Sequence, residues 1–288
     1  MKKLIIVTFI WAFSFSLIGN YLKGVDSSFA ALLRVVLALI CFLPFMKFRG
    51  VDKKLATLTA CIGGVQIGAM YLFYYASFKY LSVVEIALFT IFTPFYVTIF
   101  YDILNRKFKS LYLISVFIAV FGAFVVKYNE INSGFVMGFL ILQGANICFA
   151  VGQSSYKFLL EKYDFKAQKE LFGYFFVGAS FVCLFVFLIY GDFSKLSLNL
   201  TQYLVILWLS VVASAVGYFL WNKGACEVDS GVLAIMNNAL IPVAIIVNLI
   251  FWGSPVNLTK LIIGGVMIYV SLILHDYIMR YYKKIEKI

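Results

Sequence analysis

Residues 230–252 read SGVLAIMNNALIPVAIIVNLIFW, a stretch without a single charged side chain. A helix needs about 20 predominantly apolar residues to cross the hydrocarbon core of a bilayer. The stretch meets that length, and a soluble domain rarely encloses so long an apolar helix. The sequence therefore predicts a membrane-spanning helix here, with Asn237, Asn238 and Pro242 inside it.

Comparable apolar runs follow one another along the whole chain. Of its 288 residues, 64% are hydrophobic and 13% are charged, against roughly 45–50% and about 25% in soluble domains. The runs are continuous and not alternating, which favours helices over the strands of a membrane barrel. We therefore predict an all-α polytopic membrane protein with ten spans and no soluble domain. The predicted spans are residues 4–22, 28–46, 55–77, 82–103, 110–127, 134–156, 171–190, 201–221, 230–252 and 259–279.

Basic residues are unevenly shared between the two sides of the predicted bundle. With the N-terminus in the cytoplasm, 18 of the 24 Lys and Arg residues lie in cytoplasmic segments and five in outer segments, with Arg34 inside a span. This positive-inside bias predicts that both termini are cytoplasmic. It also accounts for the net charge of +11 without a nucleic-acid partner. The expected surroundings are the lipids of a plasma membrane.

The chain also divides into two halves of five spans, residues 1–128 and 129–288. Because five is odd, the second half must be inverted relative to the first. At an offset of 148 residues, Ser82 matches Ser230 and Pro94 matches Pro242. A proline interrupts the hydrogen bonding of a helix, so Pro94 and Pro242 are candidate structural hinges in an inverted repeat. A kink without functional consequence is the alternative.

Ionisable side chains inside a span are costly and need a partner or a function. Arg34 and Glu85 lie at similar depths in the predicted second and fourth spans. They either pair with each other as a structural ion pair, or Arg34 binds a substrate carboxylate and Glu85 couples transport to protons. The sequence leaves both possibilities open.

Uncharged amides and aromatic rings inside the spans are further candidates for substrate contact. Amides offer donors and acceptors to a neutral polar group, and flat rings stack on a ring-shaped ligand. Hydrogen bonding between helices and core packing are the alternative roles. The candidate substrate-binding residues are Trp11, Arg34, Gln66, Tyr71, Tyr74, Asn146, Gln153, Tyr218, Trp221, Asn237 and Asn238.

The sequence carries no motif of a catalytic or metal site. Its one histidine is His275, and it has no H-E-x-x-H, G-x-S-x-G or P-loop pattern. We therefore expect that this protein is not an enzyme and binds no metal or cofactor. We also expect that it works without an ATPase subunit.

Several of these stretches resemble the drug/metabolite transporter superfamily, in particular its EamA-type carboxylate, amino acid and amine branch. The resemblance rests on residues 11–15 (WAFSF), Arg34, Thr93-Pro94, residues 217–222 (GYFLWN) and residues 233–238 (LAIMNN). Within that branch, several stretches resemble the bacterial biotin uptake transporters. The resemblance implies a secondary transporter of the bacterial inner membrane that imports biotin by alternating access.

The chemistry of the substrate that the resemblance implies indicates which candidate residues would hold it. The ureido ring of biotin would meet Asn146, Asn237 or Asn238, and its carboxylate would meet Arg34. Its fused rings would lie against aromatic walls such as Trp11, Tyr71 and Trp221.

In one respect the chain departs from the family pattern. A glutamate that many members carry beyond each proline helix is absent, since these places read LNRK (residues 104–107) and GSP (residues 253–255). No role of that glutamate carries over. An exporter of amino acids or related metabolites, or a membrane protein without transport activity, remains an alternative.

Overall fold

The computed structural model describes residues 1–104, 133–163, 168–228, 230–253 and 258–285, with isolated positions between 111 and 125. All secondary structure in these parts of the chain is helical. The predicted fifth span, 110–127, and the division at residues 128–129 lie outside the continuously described ranges. The remaining predicted spans coincide with helices. The helices of spans six, eight and ten extend past the predicted ends of these spans, to Tyr163, Cys226 and Ile285 respectively.

Helix names follow chain order, and three spans are interrupted by short non-α segments. Span three contains a π-helical segment, Gly64–Ala69 (the first π segment), and span eight contains another, Leu209–Val216 (the second π segment). A 3₁₀ turn, Thr90–Phe92, interrupts span four. The helices are α1 (Lys2–Tyr21), α2 (Ser27–Phe42), α3 (Lys53–Gly63), α4 (Met70–Ser77), α5 (Val83–Phe89), α6 (Thr93–Leu104), α7 (Ser133–Tyr163), α8 (Gln168–Tyr190), α9 (Leu200–Trp208), α10 (Gly217–Cys226), α11 (Ser230–Trp252) and α12 (Leu258–Ile285).

The helices have the length and surface of membrane spans. Within the described ranges, eight are long and apolar enough to cross a bilayer, and Met236–Trp252 is a shorter apolar helix. Large apolar side chains cover the outside of the bundle, among them Phe181 at 71% and Ile250 at 70% exposure. Such a surface requires lipid around it. The chain is a multi-pass membrane protein.

Side-chain caps fix the start of several helices. Asp26 accepts hydrogen bonds from the backbone N–H groups of Ser28 and Phe29 at the start of α2. Gly24 precedes it with φ +86°, which allows the tight reversal from α1. Ser82 and Glu85 form a capping box at the start of α5. These caps satisfy backbone donors that lack a partner inside the helix.

The two prolines that match in sequence differ in their local geometry. Pro94 follows the 3₁₀ turn directly, so span four changes helix type just before it. Pro242 lies inside α11, which continues as one α-helix through it. Only the first half therefore shows a break in helix type at the matched position.

Helices at corresponding positions of the two predicted halves contact corresponding partners. Helix α1 packs against α10 and α11, which belong to spans eight and nine. Helix α7 packs in the same way against α4 and α6, which belong to spans three and four. Helix α2 packs against α8, and these two are the second spans of their respective halves.

Glycines allow the closest of these contacts. A Cβ on Gly178 of α8 would lie 1.8 Å from the carbonyl oxygen of Ala60 in α3. A Cβ on Gly63 would lie 2.1 Å from the carbonyl oxygen of Phe175. Helices α3 and α8 thus touch backbone to backbone, as small residues permit in membranes.

Candidate substrate cavity

A cavity of about 90 Å³ lies inside the bundle, between α1, α2, α4, span four, α7, α10 and α11. Of the predicted residues, it is lined by Trp11, Arg34, Tyr71, Tyr74, Asn146, Tyr218 and Asn237. Both halves of the chain contribute, and the lining combines one cation, amides and aromatic rings. Seven of the eleven residues that the sequence predicted for substrate binding therefore line the same cavity.

Arg34 is the charged group of this cavity and is 2% exposed. Its Nε donates to the Ser214 hydroxyl at 2.7 Å. The two terminal nitrogens make longer hydrogen bonds, to the hydroxyl of Tyr75 at 3.4 Å and to that of Ser14 at 3.5 Å. The guanidinium carbon lies 4.2 Å from the centre of the Tyr71 ring. The cation is therefore held by hydroxyl groups and a π face.

No acidic side chain pairs with Arg34 in the described parts of the chain. The possible ion pair with Glu85 is not formed. Glu85 accepts hydrogen bonds from the Ser82 N–H at 2.7 Å and from the Ser82 hydroxyl at 2.9 Å. A buried guanidinium without a counter-charge is energetically costly, which makes it a natural partner for an anionic ligand.

The hydroxyl of Ser214, which bonds to Arg34, forms all three hydrogen bonds that a hydroxyl can form. The Ser214 hydroxyl donates its hydrogen to the Leu209 carbonyl at 2.9 Å. Its lone pairs then accept from Arg34 and from the Tyr71 hydroxyl, the latter at 2.7 Å. Ser214 belongs to the second π segment, and π-helical turns are frequent at functional sites.

Trp11 packs against two aromatic rings of α10, of which Tyr218 lines the cavity and Trp221 lies behind it. Its ring centre lies 4.9 Å from that of Tyr218 and 4.8 Å from that of Trp221. Its indole N–H donates to the Ala213 carbonyl at 2.9 Å, which anchors the ring to the second π segment. Gly217 leaves room for this contact, because a Cβ there would lie 2.9 Å from the indole nitrogen.

Two amides also line the cavity. The Asn146 amide nitrogen donates to the Phe89 carbonyl at 3.0 Å, where α5 gives way to the 3₁₀ turn. The Asn237 amide nitrogen donates to the Leu233 carbonyl of its own helix at 3.1 Å. Both residues line the cavity, and these bonds use only their amide nitrogens, so each side-chain oxygen remains able to accept a hydrogen bond.

Four of the predicted residues do not line the cavity: Gln66, Gln153, Trp221 and Asn238. Three of them, Gln66, Gln153 and Trp221, are buried and take part in polar contacts between helices. Gln66 donates to the side-chain oxygen of Asn222 at 3.2 Å, and the Trp221 indole donates to that of Gln153 at 2.9 Å. The Gln66 Oε1 and Gln153 Nε2 atoms are buried without a partner.

Other lining residues were not predicted: Ser14, Phe15, Met70, Thr90, Thr93, Ala145, Phe149 and Leu240. Thr90 and Thr93 flank the break before Pro94, and this proline was the signal that could have indicated them. Ser214, which positions Arg34, lies in an apolar run and carries no comparable signal.

The model of the EamA-like transporter family matches two segments, residues 3–128 and 136–275. The chain belongs to the EamA-like transporter family. This EamA chain is a transporter and not an enzyme, and its resemblance to this branch of the drug/metabolite transporters is confirmed.

Its relatives are similar over nearly their whole length. A "Probable biotin transporter" of Pseudomonas aeruginosa is 46% identical over 94% of this chain and 96% of its own length. A "Biotin transporter" of Salmonella typhimurium is 41% identical, with 96% and 92% covered. The "Biotin transporter" of Escherichia coli K12 gives the same identity and coverage.

A solved crystal structure has the same fold as this EamA chain. It superposes with a TM-score of 0.67 at 13% sequence identity and covers 97% of both chains. At this identity the likeness concerns the fold alone.

Proposed function

We propose that this protein is a secondary transporter that imports biotin across the bacterial inner membrane. The observation that carries the proposal is the buried Arg34, which lines a cavity and has no acidic partner among the described residues. A substrate carboxylate would supply the missing counter-charge through charge-assisted hydrogen bonds. The names of the relatives support biotin as the carboxylate-bearing substrate.

The chemistry of the lining fits the parts of biotin. Its valerate carboxylate would bind Arg34, and its apolar rings would lie between Trp11, Tyr71 and Tyr218. The ureido group donates through its N–H groups, and the oxygens of Asn146 and Asn237 would accept from it. The cavity of about 90 Å³ is smaller than the roughly 300–1,000 Å³ of typical ligand sites. Binding therefore requires the surrounding helices to move apart.

We infer that these movements are alternating access by two inverted repeats of five helices, residues 1–128 and 129–288. Three observations support the repeat: the family model matches two segments, corresponding helices pack in corresponding pairs, and spans three and eight both contain a π segment. Pro94 and Pro242 are the proposed hinges. Both termini would lie in the cytoplasm, as the distribution of Lys and Arg predicts.

A proton gradient is the proposed driving force, with Glu85 as the coupling residue. Glu85 is the one carboxylate of predicted span four that lies close to its outer end, where protons would enter. Its position in a capping box places it at the start of α5, on the helix that continues to Thr90 and Thr93 of the cavity.

The decisive experiment is uptake of radiolabelled biotin by cells that lack their own biotin transport. Cells that express this protein should accumulate biotin faster than cells with an empty vector, and excess unlabelled biotin should abolish the difference. Equal uptake in both would reject biotin import. Resistance to toxic amino-acid analogues without biotin uptake would instead indicate the alternative, an exporter of amino acids or related metabolites.

A further inference from the structure

A second, larger cavity of about 380 Å³ lies where α1 turns into α2. Its wall is formed by that turn, by the end of α4 and by the loop after α8. Three lysines line it, Lys23, Lys79 and Lys195. We call this space the lysine vestibule.

The concentration of lysines here runs against the general charge bias of the chain. The distribution of Lys and Arg predicts that this end of the bundle faces outwards, and only five such residues are expected on that side. Three of the five line the lysine vestibule. Outer segments are normally poor in lysine, so the convergence of three of the five on one cavity needs an explanation.

Two carboxylates also line the vestibule, but both are already engaged. Asp192 pairs with Lys195 at 2.8 Å, and this bond together with hydrogen bonds from Ser194 lowers the pKa of Asp192 to about 2. Burial alone would raise the pKa of Asp26, but hydrogen bonds from Ser28, Phe29 and Asp192 lower it. Both carboxylates are therefore ionised at neutral pH and held in place by these partners.

Lys23 and Lys79 are left without such partners. Both are exposed, and neither forms an ion pair or side-chain hydrogen bond with any residue that the structure describes. With Lys195 paired to Asp192 and Asp26 bound only by neutral donors, the three lysines and two carboxylates leave the lining with a net charge of +1. Lys23 and Lys79 supply this excess positive charge as ammonium groups without ion-pair partners among the described residues, an arrangement that attracts small anions.

The vestibule lies next to the central cavity, with Tyr75 between them. Tyr75 lines the vestibule and is 4% exposed, and its hydroxyl accepts a hydrogen bond from Arg34. Tyr75 thus belongs to the wall of the vestibule and at the same time bonds to the Arg34 guanidinium.

We propose that the lysine vestibule is a docking site for the substrate's carboxylate, which Lys23 and Lys79 bind before Arg34 does. This inference rests on the proposed function, because it assumes that the transported substrate is a small carboxylate. Lys23 and Lys79 raise the local concentration of the anion, and displacement of the Tyr75 side chain then passes it to Arg34. Because the two lysines are exposed, their contribution weakens with ionic strength.

The first test compares uptake of labelled biotin by the parent, Lys23→Gln, Lys79→Gln, the double variant and Lys260→Gln. Lys260 is assigned to the same side but does not line the vestibule, which makes its variant the matched control. The double variant should raise the KM for biotin by roughly 10-fold with unchanged Vmax and surface expression. High salt should raise the KM of the parent and leave that of the double variant nearly constant. A KM equal to that of the parent would overturn the proposal.

The second test does not depend on transport. Purified protein in vesicles is treated with a membrane-impermeant amine reagent, and the modification of each lysine is followed by mass spectrometry. Biotin should protect Lys23 and Lys79 but not Lys260, whereas the neutral biotin amide should protect none of them. Protection without biotin uptake would reject the proposed function and retain the docking site. Uptake without protection would retain the function and reject the docking site.

Discussion

The guanidinium carbon of Arg34 lies 4.2 Å from the centre of the Tyr71 ring, and both side chains bond to the same serine hydroxyl at 2.7 Å. The π face and the hydroxyl hold the cation in one orientation without neutralising its charge. The terminal nitrogens keep only long hydrogen bonds of 3.4 and 3.5 Å. A carboxylate that offers shorter bonds would displace them at little cost.

Replacement of Arg34 should therefore weaken the binding of an anionic substrate. Arg34→Ala removes the charge-assisted hydrogen bonds to a carboxylate, about 1.5–3 kcal/mol, and should raise the KM for biotin roughly 10- to 100-fold. Arg34→Lys keeps the charge but not the planar fork, and should lie between parent and Ala variant. Uptake kinetics at matched surface expression measure both. Equal KM values in parent and Ala variant would remove Arg34 from the site.

Ser214 should affect both stability and substrate binding, because its hydroxyl accepts hydrogen bonds from Arg34 and Tyr71. Ser214→Ala leaves the Arg34 Nε and the Tyr71 hydroxyl without their shared acceptor, which should lower the free energy of unfolding by about 1–3 kcal/mol. The freed guanidinium should also bind substrate less well, so the KM for biotin should rise. Ser210→Ala is a matched control, because the Ser210 hydroxyl bonds only to its own helix at Ile206. Similar effects of both substitutions would contradict a specific role for Ser214.

The sequence predicted the spans much better than the faces that they turn inwards. Length and hydropathy locate the helices to within a few residues at most ends, because bilayer thickness sets both quantities. Gln153 and Trp221 nevertheless lie outside the cavity wall while Asn146 and Tyr218 line it. Lipid makes the outer face of these helices apolar, so an apolar face does not mark the side towards the core, and polar residues of one helix serve both the cavity and the polar contacts between helices. The π segments were not predicted either, since i→i+5 hydrogen bonding leaves no distinct pattern in an apolar run.

Substitutions of Gln66 and Asn222, which form a buried hydrogen bond, should have strongly non-additive effects on the free energy of unfolding. Asn222→Leu leaves both polar atoms of the Gln66 amide without partners and should cost about 1–3 kcal/mol of unfolding free energy. Adding Gln66→Leu removes these unpaired atoms and should restore most of that loss. Thermal unfolding of the two single variants and the double variant in detergent gives the coupling free energy. Additive losses would show that the hydrogen bond between these amides contributes nothing.

Glu85→Gln tests the proposed coupling without disturbing the helix start. Glutamine also closes a capping box, so the variant should fold and reach the membrane as the parent does. If Glu85 carries the coupling proton, biotin uptake should no longer respond to an imposed pH gradient. Ser82→Ala is the control, because it breaks the capping box and keeps the carboxylate. A pH response that persists in Glu85→Gln would leave Glu85 with the capping role alone.

The contact between α3 and α8 predicts unequal effects for two outwardly similar glycine substitutions. Gly178→Ala would place a methyl group 1.8 Å from the Ala60 carbonyl oxygen, a backbone atom that cannot move without shifting the helix. Overpacking of this kind costs about 1–3 kcal/mol, so the variant should unfold at a lower temperature in detergent. Gly265→Ala is the control, because a Cβ there would meet nothing within 4 Å. Since α8 also packs against α2, which carries Arg34, displacement of α8 should raise the KM for biotin as well. Equal unfolding temperatures for the two variants would mean that α3 and α8 are not packed backbone to backbone.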